Sequence, residues 1–499
     1  MAARAIMIQG TGSHVGKSLI ATALCRIFRR DGFMVAPFKA QNMSLNSAAT
    51  PDGFEISRAQ FVQAEACEIP PSADMNPVLL KPMGEMGCQV VLRGKPVATI
   101  RARGYSSLKP LLWKTVCESL LRLKERFDIV VIEGAGSPAE VNLREEDIAN
   151  MRVAKAAEAP VLLVGDIDRG GVLAWIVGTI ELMTEDERRL VGGLIINKFR
   201  GDLELLKPGL RFLEDKTGKP VLGVVPYIED IKVQEEDSVA LELPKRGGKG
   251  EVRVAIVRLP HISNFTDFDP LEAEQDVSLL YVSSPEELEK ADIIILPGTK
   301  NTIRDLIWLR ERGFARKLSE ARKEGKLIIG ICGGFQMLGR RIADPFGVES
   351  ERREIGGLGF LEAVTVFERE KATYQVRGEV VADLPFIGRG EQVRGYEIHM
   401  GRTEGVRFVF KLTRSTGGSV YDGMISGDGL VFGTYLHGIF DEPSFRRGVL
   451  NFVRRRKGLR PIEPKGVNPR AEREREYDRL AESVRRNLDI KAIYRMMGL

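Results

Sequence analysis

The chain has 499 residues, of which 43% are hydrophobic and 29% charged, and its formal net charge is +5. That length is too great for one ordinary domain and predicts two or three, while no apolar run reaches the roughly 18 residues that a membrane-spanning helix needs. The mild positive balance, with no cluster of aromatic and basic residues beside it, argues against nucleic acid as a partner.

The first residues enter a strand pattern with neither the separate apolar core nor the cleavage site of a secretion signal, so a cytoplasmic setting is expected. Short runs rich in Val and Ile lie at residues 5–9, 33–38, 129–132, 161–164, 194–197 and 221–225. They are apolar on both faces, as buried parallel strands are. Helical patterns separate them, as at 17–30 and 108–126. This is a doubly wound α/β layout, whose ligands bind beyond the carboxyl ends of the strands.

The first run opens into Gly10-Thr11-Gly12-Ser13-His14-Val15-Gly16-Lys17-Ser18, a variant phosphate-binding loop. In the standard G-x-x-x-x-G-K-[ST] pattern the first glycine falls where Thr11 stands; here it sits one place earlier, at Gly10. The working parts remain. The backbone of Gly12, Ser13, His14, Val15 and Gly16 is expected to face phosphate, with the positive end of the next helix behind it. Lys17 is expected to reach the β- and γ-phosphates of a nucleotide, and the Ser18 hydroxyl to ligate Mg2+. Glu133 ends the third run and is expected as a second metal-directed carboxylate; the alternative is an exposed loop residue. Asp166 and Arg169, with Asp168 between them, follow the fourth run. They suit metal-phosphate and anionic-substrate contacts, or else a salt-bridged loop. Asn197, beside Lys198, stands where related folds read the nucleotide base. This first domain is assigned to residues 1–242, and a Gly-rich, aperiodic linker to 243–250.

A second α/β domain, 251–441, begins with fresh runs at 252–259, 277–282, 293–296 and 327–331. The last ends in Gly330-Ile331-Cys332-Gly333-Gly334 and a helical pattern follows, the layout of a nucleophile elbow with cysteine in place of serine. Such a turn lifts the thiol out of the sheet and aims the Gly333 N–H at the attacked carbonyl. A second oxyanion donor is expected from the loop Leu296-Pro297-Gly298-Thr299, at Gly298. The thiol needs a base. His437, flanked by glycine at a strand end, is the first choice and His399 the runner-up; His261 remains, and His14 sits in the phosphate loop. Cys25, Cys67, Cys88 and Cys117 lack metal-type spacing and read as small buried hydrophobes. Residues 442–499 are Arg-rich and are expected to form a basic helical tail, solvated on its outer side.

With these segments in this order, the chain resembles the cobyric acid synthase family of cobalamin biosynthesis. Gly330-Ile331-Cys332-Gly333-Gly334-Phe335-Gln336 looks like the nucleophile motif of class I-type glutamine amidotransferases. The phosphate loop and Glu133-Gly134-Ala135-Gly136 look like the dethiobiotin synthetase class of ATPases. Closest to the family itself are Phe38-Lys39-Ala40-Gln41-Asn42-Met43-Ser44-Leu45-Asn46-Ser47, Gly165-Asp166-Ile167-Asp168-Arg169-Gly170-Gly171 and Asn197-Lys198-Phe199-Arg200-Gly201-Asp202. The resemblance covers nearly the whole chain. It implies an N-terminal P-loop-type domain and a C-terminal glutamine amidotransferase domain. Together they would carry out ATP-dependent, glutamine-hydrolysing amidation of four peripheral carboxylates of adenosylcobyrinic acid a,c-diamide. The implied route runs through acyl phosphates and ammonia released at a Cys332–His437 site. ATP and Mg2+ are the implied cofactors, and corrinoid, glutamine and ATP the small-molecule partners; homo-oligomerisation is left open.

The resemblance also bears on individual residues. Gln41, Asn42, Ser44 and Asn46 are expected to hydrogen-bond corrin amides and carboxylates, or else to form a plain polar loop. Ile439 stands where many class I glutaminases place an orienting Glu, so either a dyad suffices or another acid serves, with Glu397 a candidate. The metal-holding Asp of the dethiobiotin synthetases has no secure counterpart, although Asp52 and Glu55 lie in the right region. Two other readings compete. A cobyrinic acid a,c-diamide synthase would act on two acetates, and the polar segment 41–47 argues against it. A non-amidating P-loop switch ATPase would carry an extra lysine within 10–15 and no cysteine elbow.

Overall fold

The computed structural model describes residues 3–83, 87–100, 104–229, 231–234, 250–464 and 469–499. The linker expected at 243–250 lies outside the described residues except for Gly250. In the front half, six parallel strands run in the order Val221–Pro226, Val191–Phe199, Val161–Asp166, Arg4–Gly10, Ile129–Glu133 and Val35–Phe38. Each apolar run expected there is one of these strands. Successive side chains along a strand point to opposite faces. Met7, Val130, Ile132, Leu163 and Ile196 therefore fill one core, and Ile6, Ile8, Val131, Leu162 and Ile195 the other. The helix Tyr105–Arg126 covers the first face with Leu112, Val116, Leu120 and Leu123; Lys17–Arg30 covers the second with Ile20, Leu24, Ile27 and Phe28. The order of strands reverses at Arg4–Gly10, so the phosphate loop leaves the sheet at its switch point.

The rear half has its own sheet. Parallel strands Val277–Val282, Val252–Val257, Ile293–Leu296, Leu327–Ile331 and Val431–Thr434 lie side by side. Antiparallel strands Ser419–Ile425, Phe408–Arg414 and Ala363–Val380 extend the sheet, and the last of these pairs with Gln392–Gly405. These two long strands reach the front half. The Gln375 amide donates to the Ala49 carbonyl at 3.0 Å, and Lys371 lies 2.6 Å from Glu55. No helix among the described residues is long and apolar enough to cross a membrane.

The described residues of 442–499 form helices, as expected, and each has a packed side as well as a solvated one. Helix Pro443–Arg456 packs Phe445, Val449, Leu450 and Val453 into the rear core. Helices Pro469–Asn487 and Ile490–Met497 return to the front sheet, where Tyr477, Leu480, Ala481, Val484 and Ile493 join the core over Lys17–Arg30. The Arg and Glu residues form only the outer face of an amphipathic helix whose apolar positions follow i, i+3, i+4, i+7 spacing. Arg26, at 1% side-chain exposure, anchors the docking with ion pairs to Asp478 at 2.7 Å and Glu474 at 2.7 Å. Leu480→Ala is expected to destabilise the front half by about 2–5 kcal/mol, read by denaturant unfolding. Arg486→Ala, at an exposed site, is expected to change stability by less than about 0.5 kcal/mol.

Candidate active site

The phosphate loop is braced from behind. Gly16 has φ +98°, and a Cβ there would lie 2.0 Å from the Asn197 amide nitrogen, which donates to the Val15 carbonyl at 2.9 Å. Asn197, expected to read the base, thus supports the loop. Lys198 donates to the His14 carbonyl at 2.6 Å and to Asp166 at 2.7 Å. Asp166 is buried in that contact, whereas Arg169 reaches outward, 4.0 Å from it. The two still form an ion pair, as in the salt-bridged loop given as the alternative. The Lys17 ammonium donates to the carbonyls of Gly12 at 2.7 Å and Gly136 at 2.9 Å, folded over the loop.

Glu133 is no exposed loop residue. It is buried, and its carboxylate accepts hydrogen bonds from Ser18 at 2.8 Å, Lys39 at 2.8 Å and Gln63 at 2.5 Å. Burial pushes its carboxyl upward, but Lys39, Gln63 and Ser18 outweigh it and hold the group below the ordinary carboxylate range. A hydroxyl and a carboxylate beside a phosphate loop are hard oxygen donors that suit Mg2+, which takes one or two protein carboxylates and completes its shell from phosphates and water. No cluster of three or more His, Cys, Asp or Glu arranged for a metal stands among the described residues. Asp52 accepts from Thr50, and Glu55 is tied to Ser47, Lys81 and Lys371. Neither shares the Ser18–Glu133 contact.

In the rear half, Cys332 links strand Leu327–Ile331 to helix Gly333–Leu338 with φ +52° and ψ −109°. A non-glycine residue in that region is strained by about 1–3 kcal/mol and persists only when its surroundings hold it. The holding is visible: Cys332 N–H donates to the Thr434 carbonyl at 2.8 Å, and a Cβ on Gly334 would lie 1.9 Å from the Leu296 carbonyl oxygen. The Cys332 thiol donates to the Ile398 carbonyl at 3.6 Å, and its sulfur shares one small cavity with His437. Loop Leu296-Pro297-Gly298-Thr299 lies against both groups. A Cβ on Gly298 would be 3.2 Å from His437 Cε1, and one on Gly333 would be 3.1 Å from the Thr299 nitrogen.

The third member of this site is Asp267, which the sequence reading missed. His437 Nδ1 lies 2.6 Å from Asp267 Oδ2, which leaves Nε2 for the sulfur. Asp267 Oδ1 also accepts from the Gly438 N–H at 3.1 Å. Burial pushes the His437 imidazole down, but Asp267 and then Cys332 outweigh it and raise it to about 10. An imidazolium beside a cysteine sulfur is the arrangement that generates a nucleophilic thiolate. Glu397, considered as the orienting acid, instead pairs with Arg414 at 2.8 Å and His399 at 3.4 Å. His399 stacks on Tyr435 with ring centroids 3.8 Å apart, and its Nδ1 lies 2.7 Å from the Gly401 carbonyl. His261 is held by Asp305 at 2.6 Å.

Both halves meet at this site. Asn264, three residues before Asp267, accepts from the Ser47 N–H at 2.9 Å, and the Phe265 N–H donates to Asn46 Oδ1 at 3.2 Å. Ser44 and Asn46 are therefore buried at the junction, with the Asn46 N–H donating to Ser44 Oγ at 3.0 Å. Gln41 accepts from Tyr105 and Asn42 donates to Gln60, both within the front half. A cavity of about 40 Å³ contains Cys332 and His437 on one side and Leu45 and Lys81 of the front half on the other. Beside it the buried Glu55 bridges Lys81 and Lys371. Burial pushes Glu55 upward, but Lys371 and Lys81 outweigh it and hold it well below the usual carboxylate range. Burial also wins over Glu55 at Lys81 and pushes that ammonium down to about 8.

Residues 6–239 match the model of the CobQ/CobB/MinD/ParA nucleotide binding domain, and residues 253–445 that of the CobB/CobQ-like glutamine amidotransferase domain. A cobyric acid synthase of Moorella thermoacetica is 53% identical over 100% of this chain and 98% of its own length. Those of Caldanaerobacter subterraneus subsp. tengcongensis and Sorangium cellulosum are 52% and 50% identical, over 99% and 100% of this chain and 98% and 99% of their own lengths. The chain belongs to the cobyric acid synthase family. It is accordingly a glutamine-hydrolysing, nucleotide-dependent amide-forming ligase of cobalamin biosynthesis. Within such a cobyric acid synthase-type chain, Asp267→Asn is expected to lower kcat for glutamate release by at least on the order of 10²-fold, because the wrong imidazole tautomer then faces the sulfur. Steady-state glutaminase assays check this.

Proposed function

We propose that the chain forms four amides on the peripheral carboxylates of adenosylcobyrinic acid a,c-diamide, consuming one ATP and one glutamine for each. The observation that carries this reading is the shared cavity: a Cys332–His437–Asp267 site opens on residues of the half that holds the phosphate loop. In the rear, the Cys332 sulfur attacks the glutamine amide carbon. The N–H groups of Gly333 and of the loop at Gly298 stabilise the oxyanion. His437 gives its proton to the departing ammonia, then takes one from the water that frees glutamate from the thioester.

A carboxylate is a poor electrophile, so the front half must convert it to an acyl phosphate. The N–H groups of residues 12–16 and the Lys17 ammonium hold the ATP phosphates, and Asn197 fixes the loop that presents them. Ser18 and Glu133 would hold Mg2+, which neutralises charge developing on the transferred phosphoryl group. Arg169, exposed beside the loop, attracts the substrate carboxylates, while Asp166 keeps the neighbouring Lys198 in place. Ammonia attacks the acyl phosphate, the C–N bond forms, and phosphate leaves. Gln41 and Asn42 belong to the same proposal as corrin contacts. A cytoplasmic setting follows from the supply of ATP and glutamine.

Cys332→Ala is expected to abolish glutamine-dependent amidation and to leave amidation with ammonium salts intact; loss of both in a folded protein would exclude separate sites. Lys17→Ala is expected to stop amidation from either nitrogen source, and amide formation at the parental rate would overturn the ATP assignment. Mass spectrometry of the corrinoid diamide incubated with Mg-ATP and glutamine is expected to show four successive replacements of OH by NH2. Two replacements starting from a substrate without amides would favour the a,c-diamide synthase reading instead.

A further inference from the structure

Helix Arg58–Ala66 of the front half touches both chemistries. Its Gln63 donates to Glu133 at 2.5 Å, the carboxylate beside the phosphate loop. Its first residue, Arg58, is 6% exposed and points the other way. The Arg58 guanidinium donates to the Ser47 carbonyl at 3.2 Å and to the hydroxyl of Tyr396, a residue of the rear half. That hydroxyl in turn donates to Asp267 Oδ1 at 3.3 Å. The Tyr396 ring is stacked on His437, with centroids 5.2 Å apart and planes at 15°. One front-half cation therefore stands a single hydroxyl away from the carboxylate that orients the His437 imidazole.

This placement is costly unless it does something. A buried arginine loses its hydration and must be repaid by partners. Arg58 Nε has no hydrogen-bond partner, and the acids that act on the guanidinium are Asp267, Asp441 and Glu65. Removing Arg58 would leave the Tyr396 hydroxyl free to turn from Asp267, and the carboxylate free to turn from His437. At the other end of the helix, Glu133 is fully engaged by Ser18, Lys39 and Gln63. A divalent cation arriving there competes with the Lys39 charge and with the Gln63 donor.

We propose that Arg58 is a positioning residue of the glutaminase supplied by the ATP-binding half, which sets the Asp267–His437 pair through Tyr396 and makes glutamine hydrolysis respond to occupancy of the Glu133 site. The inference rests on the glutaminase role given to Cys332 above. Arg58 touches no reacting atom; it acts through Tyr396. Coupling between sites commonly amounts to about 5–150-fold, and that is the range expected here.

The test uses the full chain and follows glutamate release, with glutamine alone and with Mg-ATP plus the corrinoid diamide, alongside ammonium-supported amidation. In the parent, Mg-ATP and corrinoid are expected to raise kcat for glutamate release within that 5–150-fold range. Arg58→Met is expected to lower kcat by roughly the same factor and to abolish the rise, with KM for glutamine changed less than about twofold and ammonium-supported amidation near the parental rate. Arg58→Lys is expected to recover most of the loss, and Tyr396→Phe, which keeps the ring stack and deletes the hydroxyl, to resemble Arg58→Met. Parental kcat and parental activation in Arg58→Met would overturn the inference. So would an equal loss of ammonium-supported amidation, which marks a merely structural role, or a failure of lysine to rescue. If the parent releases no glutamate, or Cys332→Ala still does, it is the assignment of the glutaminase site that falls.

Discussion

A carboxylate 2.6 Å from an imidazole nitrogen, Asp267 on His437, is the contact on which the rear chemistry depends. Burial alone would discharge a histidine at 1% exposure and leave the cysteine without its partner cation. Asp267 reverses that, and it can do so only while loop 263–268 keeps its shape. The loop is not held by the rear half alone. Ser47 and Asn46 of the front half bond to Asn264 and Phe265. The geometry of the glutaminase is therefore a property of the assembled chain.

The junction between the halves is charged as well as buried. Glu55 accepts from Lys81 on its own side and from Lys371 on the other. Taking three such groups out of water costs several kcal/mol per ion, and breaking one pair costs about 3–5 kcal/mol because it strands a charge. Such an arrangement specifies docking more than it stabilises it. At the Cys332 cavity, burial also pushes the Lys81 ammonium down to about 8.

Much of this was legible in residue order. The six front strands, the phosphate loop, the elbow at Cys332 and the strand ending at His437 all stand in the structure where local pattern placed them. The misses share a cause. Asp267 lies 170 residues from His437, and no spacing connects them; the one available signal was an acid in a loop after the first rear strand. Glu397 was a candidate for the orienting acid, yet Arg414 and His399 claim it. The segment 41–47 read as corrin contacts or a polar loop, and no local pattern showed that Ser44 and Asn46 are buried between the halves. The Arg-rich end was legible as helical with a solvated outer side, but only the packing of Tyr477, Leu480 and Val484 decided which sheet it covers.

What the amino-acid order determined by itself was the set of backbone devices: a glycine-bearing loop before a helix, a cysteine at a strained turn, and apolar strands with both faces buried. Each is encoded by neighbours within a few residues, because steric limits and hydrogen-bond closure act locally. What only the tertiary structure decided was the pairing of charges: Asp267 with His437, Arg58 with Tyr396 across 338 residues, and Lys371 with Glu55 across 316. Those partners are chosen by burial, since an ion removed from water must be met by whichever opposite charge or donor the packing brings to it.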